Sequence, residues 1–175
     1  RVSPFSLGKA EVTQREFSEV MGYNPSLHQG EDLPVENVNW REAARYCNLL
    51  SLKKGLAPCY DLSSGACDFS ADGYRLPTDA EWSAADSLAA TADTSNPKRF
   101  ANLGGSDNES LPALMQSLKD GGTRPAGTYP ANHFGLYDMR GNVWEWCNDN
   151  HNPQVDEALP PNNPRGRAWS PEKTL

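Results

Sequence analysis

The residues best placed for chemistry lie in the thirteen-residue stretch Gly135–Cys147, GLYDMRGNVWEWC. It holds two carboxylates, Asp138 and Glu145, on either side of a Gly141-Asn142 pair whose residue types favour a sharp turn. Acidic side chains beside a bent run of carbonyls make a candidate site for a hard cation, since calcium takes carboxylate and carbonyl oxygens. A plainer alternative stands beside it, with Asp138 capping the turn and Glu145 reaching water. Val143–Trp146 reads as a short strand of β-branched and aromatic residues. Alternation then places Val143, Glu145 and Cys147 on one face and Trp144 and Trp146 on the other, packed into the core. A carboxylate beside Val143 needs a partner there.

Other chemistry is scarce. His28, His133 and His151 are scattered and lack the spacing of metal ligands. No Ser–His–Asp order, nucleophile elbow, phosphate-cradling loop or dinucleotide fingerprint occurs. The four cysteines, Cys47, Cys59, Cys67 and Cys147, form no C-x-x-C pair of the zinc type. Cys47 and Cys147 read as small packed hydrophobes. Cys59 and Cys67 fall on the two arms of a hairpin expected over Pro58–Phe69, turning at Ser63-Ser64-Gly65. Facing positions there could close a disulfide in an oxidising compartment, with two free thiols as the other reading. That bridge is the one feature favouring an extracytoplasmic location.

Three helices are expected to frame these groups. Thr13-x-x-Glu16 is a capping box, and Val12 with Phe17 is its hydrophobic staple; the helix should reach Met21 and stop at Gly22. Asn39-x-x-Glu42 opens a second helix with Trp40, Ala43, Ala44, Cys47 and Leu50 on one stripe. Thr78-x-x-Glu81 opens a third, with Trp82 and Ala85 inward. The three glutamates are therefore caps and do no chemistry. Asp86–Asn96 reads as a solvated loop, Leu111–Lys119 as a short helix and Thr123–Pro130 as an extended edge segment.

The chain of 175 residues suits one domain, and its fourteen Gly and fourteen Pro predict many turns and few long elements. A net charge of −7 argues against a nucleic-acid surface, which needs clustered Lys and Arg. No apolar run approaches membrane-spanning length.

Three stretches in order, Pro34–Asn48 (PVENVNWREAARYCN), Gly73–Ala85 (GYRLPTDAEWSAA) and Gly135–Cys147, resemble the formylglycine-generating enzyme, or sulfatase-modifying factor, family. The resemblance runs from about Leu7 to Asp149. It implies an α+β fold, a variant of the C-type lectin-like fold with little regular secondary structure. Residues 1–175 would form a single partial domain, incomplete at both ends, lacking an opening glycine-rich hairpin and a closing GGSW-like strand. It also implies structural calcium, held by the Asp138 and Glu145 side chains with the carbonyls of Gly141 and Val143. Asp138 stands where some members have Asn, which adds negative charge.

Asn102 and Leu103 would bind calcium as well, with Asp107 and Asp120 as candidate further ligands. Asn102 as an ordinary loop amide is the other reading. The family's oxidases hold copper with two cysteines in a C-terminal segment beyond this chain. None of the four cysteines here matches them, so no catalytic residue carries over. Three functions follow: part of an oxidase turning a protein cysteine into formylglycine, an iron-dependent sulfoxide-forming relative, or a noncatalytic calcium-stabilised binding module. The expected partner is a cysteine-containing protein or a small thiol, with neither nucleic acid nor a membrane span.

Overall fold

Capping chemistry starts each helix where the sequence places it. In the computed structural model, which describes residues 1–87, 122–150, 162–165 and 167–168, α1 spans Gln14–Met21, α2 Trp40–Lys53 and α3 Asp79–Ser87. Thr13 accepts from the Glu16 amide while the Glu16 carboxylate accepts from the Thr13 amide at 2.9 Å, so two orphan donors of α1 are satisfied reciprocally. Asn39 and Glu42 repeat the exchange at α2, at 3.0 and 2.9 Å. Thr78 and Glu81 do so at α3, at 3.2 and 2.8 Å. Gly22, at φ 81, closes α1 in the left-handed conformation that costs glycine nothing. Among the described residues the regular strands are β1 (Asp149–Asn150) and β2 (Arg167–Ala168), an antiparallel pair with Asp149 opposite Ala168. Two isolated bridges, Thr13 with Pro34 and Tyr60 with Cys67, complete the pairing.

The chain divides into two compact units. The first comprises Arg1–Leu7, Val38–Ala84 and Glu145–Leu175. Its core forms on α2, where Trp40 is 2% exposed and meets Tyr60 edge to face at 5.4 Å. The fully buried stripe is Trp40, Ala44, Cys47 and Ser51, with Ala43 and Leu50 only half-buried. Tyr60 is fixed at both ends. Its backbone exchanges hydrogen bonds with the Asn48 side chain, at 2.8 and 3.0 Å. Its hydroxyl donates to Asn148 at 2.9 Å and accepts from the Leu76 amide at 3.0 Å.

The second unit comprises Gly8–Asn37 and Ala85–Trp144. Phe17 is buried against Tyr23, and beside it on α1 lies Gln14, a polar side chain only 1% exposed. Gln14 donates to the carbonyls of His28 (2.7 Å) and Pro34 (3.2 Å) and accepts from Asn24 (2.8 Å) and the Gly30 amide (3.0 Å). Four partners satisfy every position of the amide, so its burial carries no desolvation penalty left unmet.

Two sequence expectations give way here. Val143–Trp146 forms no strand, and its tryptophans are not core: Trp144 is fully exposed and Trp146 is 47% exposed. Indole N–H groups take the place of a neighbouring strand along this segment. The expected helix at 111–119 and most of the loop at 86–96 lie outside the described residues.

Candidate functional site

In the second unit, Asp138 is 3% exposed and adopts φ 57, a left-handed conformation that a short polar residue tolerates. Its carboxylate accepts two backbone amides, from Gly127 and, at 2.9 Å, from Tyr129. Asp138 therefore fixes the Gly127–Tyr129 segment, a different stretch from the Gly141-Asn142 turn beside which the sequence placed it. Gly141 (φ 117) and Asn142 (φ 69) make the sharp turn that follows. The Asn142 side chain accepts from the Arg124 amide at 2.8 Å and donates to the Arg124 carbonyl at 3.0 Å. It also donates to Glu11 at 2.7 Å, and the Val143 amide reaches the same carboxylate at 3.3 Å. Glu11 is buried, and sequence reasoning missed it. A lone acidic residue two positions before a helix cap carries no local signal that it will seat a turn more than a hundred residues away.

In the first unit, three tryptophans hold the segment after that turn. Trp40 donates its indole N–H to the Cys147 carbonyl at 2.9 Å, Trp82 donates to the Glu145 carboxylate, and Trp146 donates to the Val38 carbonyl at 2.8 Å. These bonds replace a strand ladder, so the segment need not be regular. The Asn148 amide continues the series to the Pro77 carbonyl at 2.8 Å. Asp149 then accepts from the Asp79 amide in the first turn of α3, also at 2.8 Å.

The proposed calcium ligands are thus distributed. Asp138, Gly141 and Val143 belong to the second unit and Glu145 to the first, while Asn102, Leu103, Asp107 and Asp120 lie outside the described residues. Each oxygen of an ionised carboxylate has two acceptor sites, so one amide apiece does not exhaust Asp138 for a cation. Among the described residues no three His, Cys, Asp or Glu side chains converge in a metal-holding group. His28 sits 3.5 Å from Glu36 and His133 packs on Phe134; His151 lies outside the described residues.

The hairpin over Pro58–Phe69 is present, but its register differs from expectation. Tyr60 pairs with Cys67, and the Asp68 amide bonds the Cys59 carbonyl at 2.7 Å. Cys59 and Cys67 are thus offset by one position rather than facing, and all four cysteines are free thiols. The expected bridge is corrected accordingly, and the ground it gave for an extracytoplasmic location goes with it. Asp61 sets the register: its carboxylate takes the Ser63 hydroxyl (2.7 Å), the Ser64 hydroxyl (2.6 Å) and the Ser63 amide (2.9 Å). Those donors hold its carboxyl far below the usual range.

Burial pushes the Cys47 thiol up to about 12, with the neighbouring Cys59 and Cys67 adding to the effect. Burial likewise lifts Cys67 to about 11, and it raises Cys59 despite the nearby Arg75. Cys147 rises to about 12 through burial and the carboxylates around it, Asp79 first. At neutral pH these side chains are thiols and not the thiolates that nucleophilic or soft-metal chemistry uses.

Comparison with known proteins agrees with the resemblance. The model of the sulfatase-modifying factor enzyme 1-like domain matches residues 1–173. The chaperone protein LppX of Paenibacillus barcinonensis is 36% identical over 89% of this chain and 66% of its own length. The formylglycine-generating enzyme of Mus musculus is 28% identical over 82% of this chain, which spans only 35% of that enzyme. Among solved structures, Treponema denticola variable protein 1 superposes with a TM-score of 0.60 at 30% identity, covering 79% of this chain and 60% of that one. In the described residues no helix is long and apolar enough to cross a membrane. On sequence model, relatives and fold together, the chain belongs to the sulfatase-modifying factor enzyme 1-like domain family.

Proposed function

We propose that this chain carries the scaffold of a formylglycine-generating-type domain and that its four thiols are not the copper centre. In this reading the whole domain has the α+β, C-type lectin-like architecture. In it the oxidation of a protein cysteine would use copper on a cysteine pair other than the four thiols here, and that of a small thiol would use iron. The observation that carries the reading is the state of Cys47, Cys59 and Cys67. They are buried or half-buried, unpaired, and held as thiols by burial. Copper(I) is bound by soft thiolates, and these positions disfavour the thiolate. Incubated with copper and a cysteine-containing sulfatase-type peptide, this chain is expected to produce no aldehyde by mass spectrometry. Aldehyde that depends on the chain would overturn the reading.

A second reading, a noncatalytic binding module, is favoured by the fully exposed indole of Trp144 beside the Gly141-Asn142 turn. The chaperone named among the relatives is in keeping with it.

In both readings we propose a structural calcium held by Asp138 and Glu145 with the Gly141 and Val143 carbonyls, and another by Asn102 and Leu103. What supports the first is the gap-free resemblance of Asp138, Gly141, Val143 and Glu145 to the family pattern and the acceptor sites remaining on Asp138; the second rests on the resemblance of the Asn102-Leu103 pair alone. Calcium that binds only the folded state raises stability by roughly 2.7 kcal/mol at a hundredfold excess over Kd. The melting temperature should therefore rise with calcium and fall with chelator; equal melting in the two would remove the calcium from this account.

A further inference from the structure

The first unit also holds a cavity of about 110 Å³ that belongs to none of the groups above. One wall is the Phe69 ring, and two arginines lie on it: the Arg75 guanidinium carbon at 4.9 Å from the ring centroid and that of Arg165 at 3.9 Å. The two cations differ in their partners. Arg75 makes a bidentate pair with Glu81, at 2.7 and 2.8 Å, and donates to the Leu76 carbonyl at 3.0 Å. Its charge is balanced and its fork is largely occupied. Arg165 makes no ion pair among the described residues, so over those residues the cavity lining has one positive charge in excess, in a chain of net charge −7.

Arg165 is also held in place. Asn163, at φ 48, ties its segment to the first residues of the chain by three hydrogen bonds. Its amide donates to the Arg1 carbonyl (2.7 Å), its side-chain oxygen accepts from the Ser3 amide (2.6 Å), and its side-chain nitrogen donates to the Ser3 hydroxyl (2.9 Å). Pro164 then restricts the backbone leading into Arg165. Stacking on Phe69 uses the face of the guanidinium and leaves its N–H edge, a planar fork that matches a two-oxygen anion. A single net charge and the nearby Glu81 suit a monoanion better than a dianion, and the volume suits a few heavy atoms.

We propose that Arg165, stacked on Phe69 beside the neutral Arg75–Glu81 pair, anchors a binding site for a small monocarboxylate. The site is independent of the calcium and copper readings. Its test is a titration of the full chain with sodium propionate, followed by the Arg165 Nε–H and the Phe69 and Thr78 amide resonances. Saturable shifts are expected, absent with propionamide and weaker with sodium sulfate. Arg165→Gln, which keeps N–H donors without charge, should weaken propionate at least tenfold; Arg165→Lys, which keeps charge without the fork, should fall between. Both sit on an exposed side chain and should keep the native spectrum elsewhere. A short peptide compared as its free acid and its C-terminal amide separates a peptide carboxylate from a free acid as the source. Failure to saturate, equal response to propionamide, or unchanged affinity in Arg165→Gln overturns the proposal.

Discussion

Alanine at Gly73 is expected to lower the melting temperature by roughly 6–12 °C, the equivalent of about 3 kcal/mol in a chain of this size. A Cβ at this position would lie 2.1 Å from the Ala57 carbonyl oxygen and 2.6 Å from Ser51 Oγ. Neither neighbour can swing aside. The first is backbone. The second is fully buried, donates to the Cys47 carbonyl at 2.7 Å and accepts from the Tyr74 amide at 2.8 Å. Relief requires shifting the end of α2 or the Gly73–Leu76 segment, and that segment carries the Leu76 bond to Tyr60 and the Arg75–Glu81 pair. Gly55→Ala is the control, because its φ is 74 and nothing lies within 4 Å of the added Cβ. Its cost is backbone strain alone, about 1 kcal/mol. Thermal unfolding followed by circular dichroism should therefore rank Gly73→Ala well below Gly55→Ala. If the two melt together, Ala57 and Ser51 yield more readily than the packing implies.

What the sequence disclosed and what it concealed divide along the range of the interactions. All three helix starts were legible because a capping box is chemistry within four residues: Thr13 with Glu16, Asn39 with Glu42, and Thr78 with Glu81. The family and the turn at Gly141-Asn142 were legible from motif and residue type. The hairpin was legible too, but its register depended on Asp61 capturing Ser63 and Ser64, a one-residue matter that composition does not decide. Trp144 and Trp146 depart from expectation because residue type suggests burial without naming a partner. Trp146 finds the Val38 carbonyl 108 positions away, while Trp144 finds no burial. The buried amides of Gln14 and Asn48 were invisible for the same reason. Their fitness depends on carbonyls and amides that only the folded loops bring to them.

The two roles offered for Asp138 separate in one experiment, because one needs calcium and the other does not. Asp138→Ala removes the acceptor for the Gly127 and Tyr129 amides in a site 3% exposed. Each buried donor left unsatisfied costs about 1–3 kcal/mol, and alanine in the left-handed region adds strain, so a loss of about 3–4 kcal/mol is expected even in chelator. Asp138→Asn keeps one acceptor oxygen but turns an N–H group toward the second amide, and should lose about half as much. Glu145 is exposed and accepts the Trp82 indole, so Glu145→Ala in chelator should cost only about 1 kcal/mol. Added calcium raises the melting temperature of the native chain if the proposed ligand set operates, and both alanine variants lose that increment. The chelator column tests the amide-acceptor role and the calcium increment tests the ligand role. Asp138→Ala melting with the native chain in chelator would remove the acceptor account. A calcium increment surviving in both alanine variants would move the ion to other ligands.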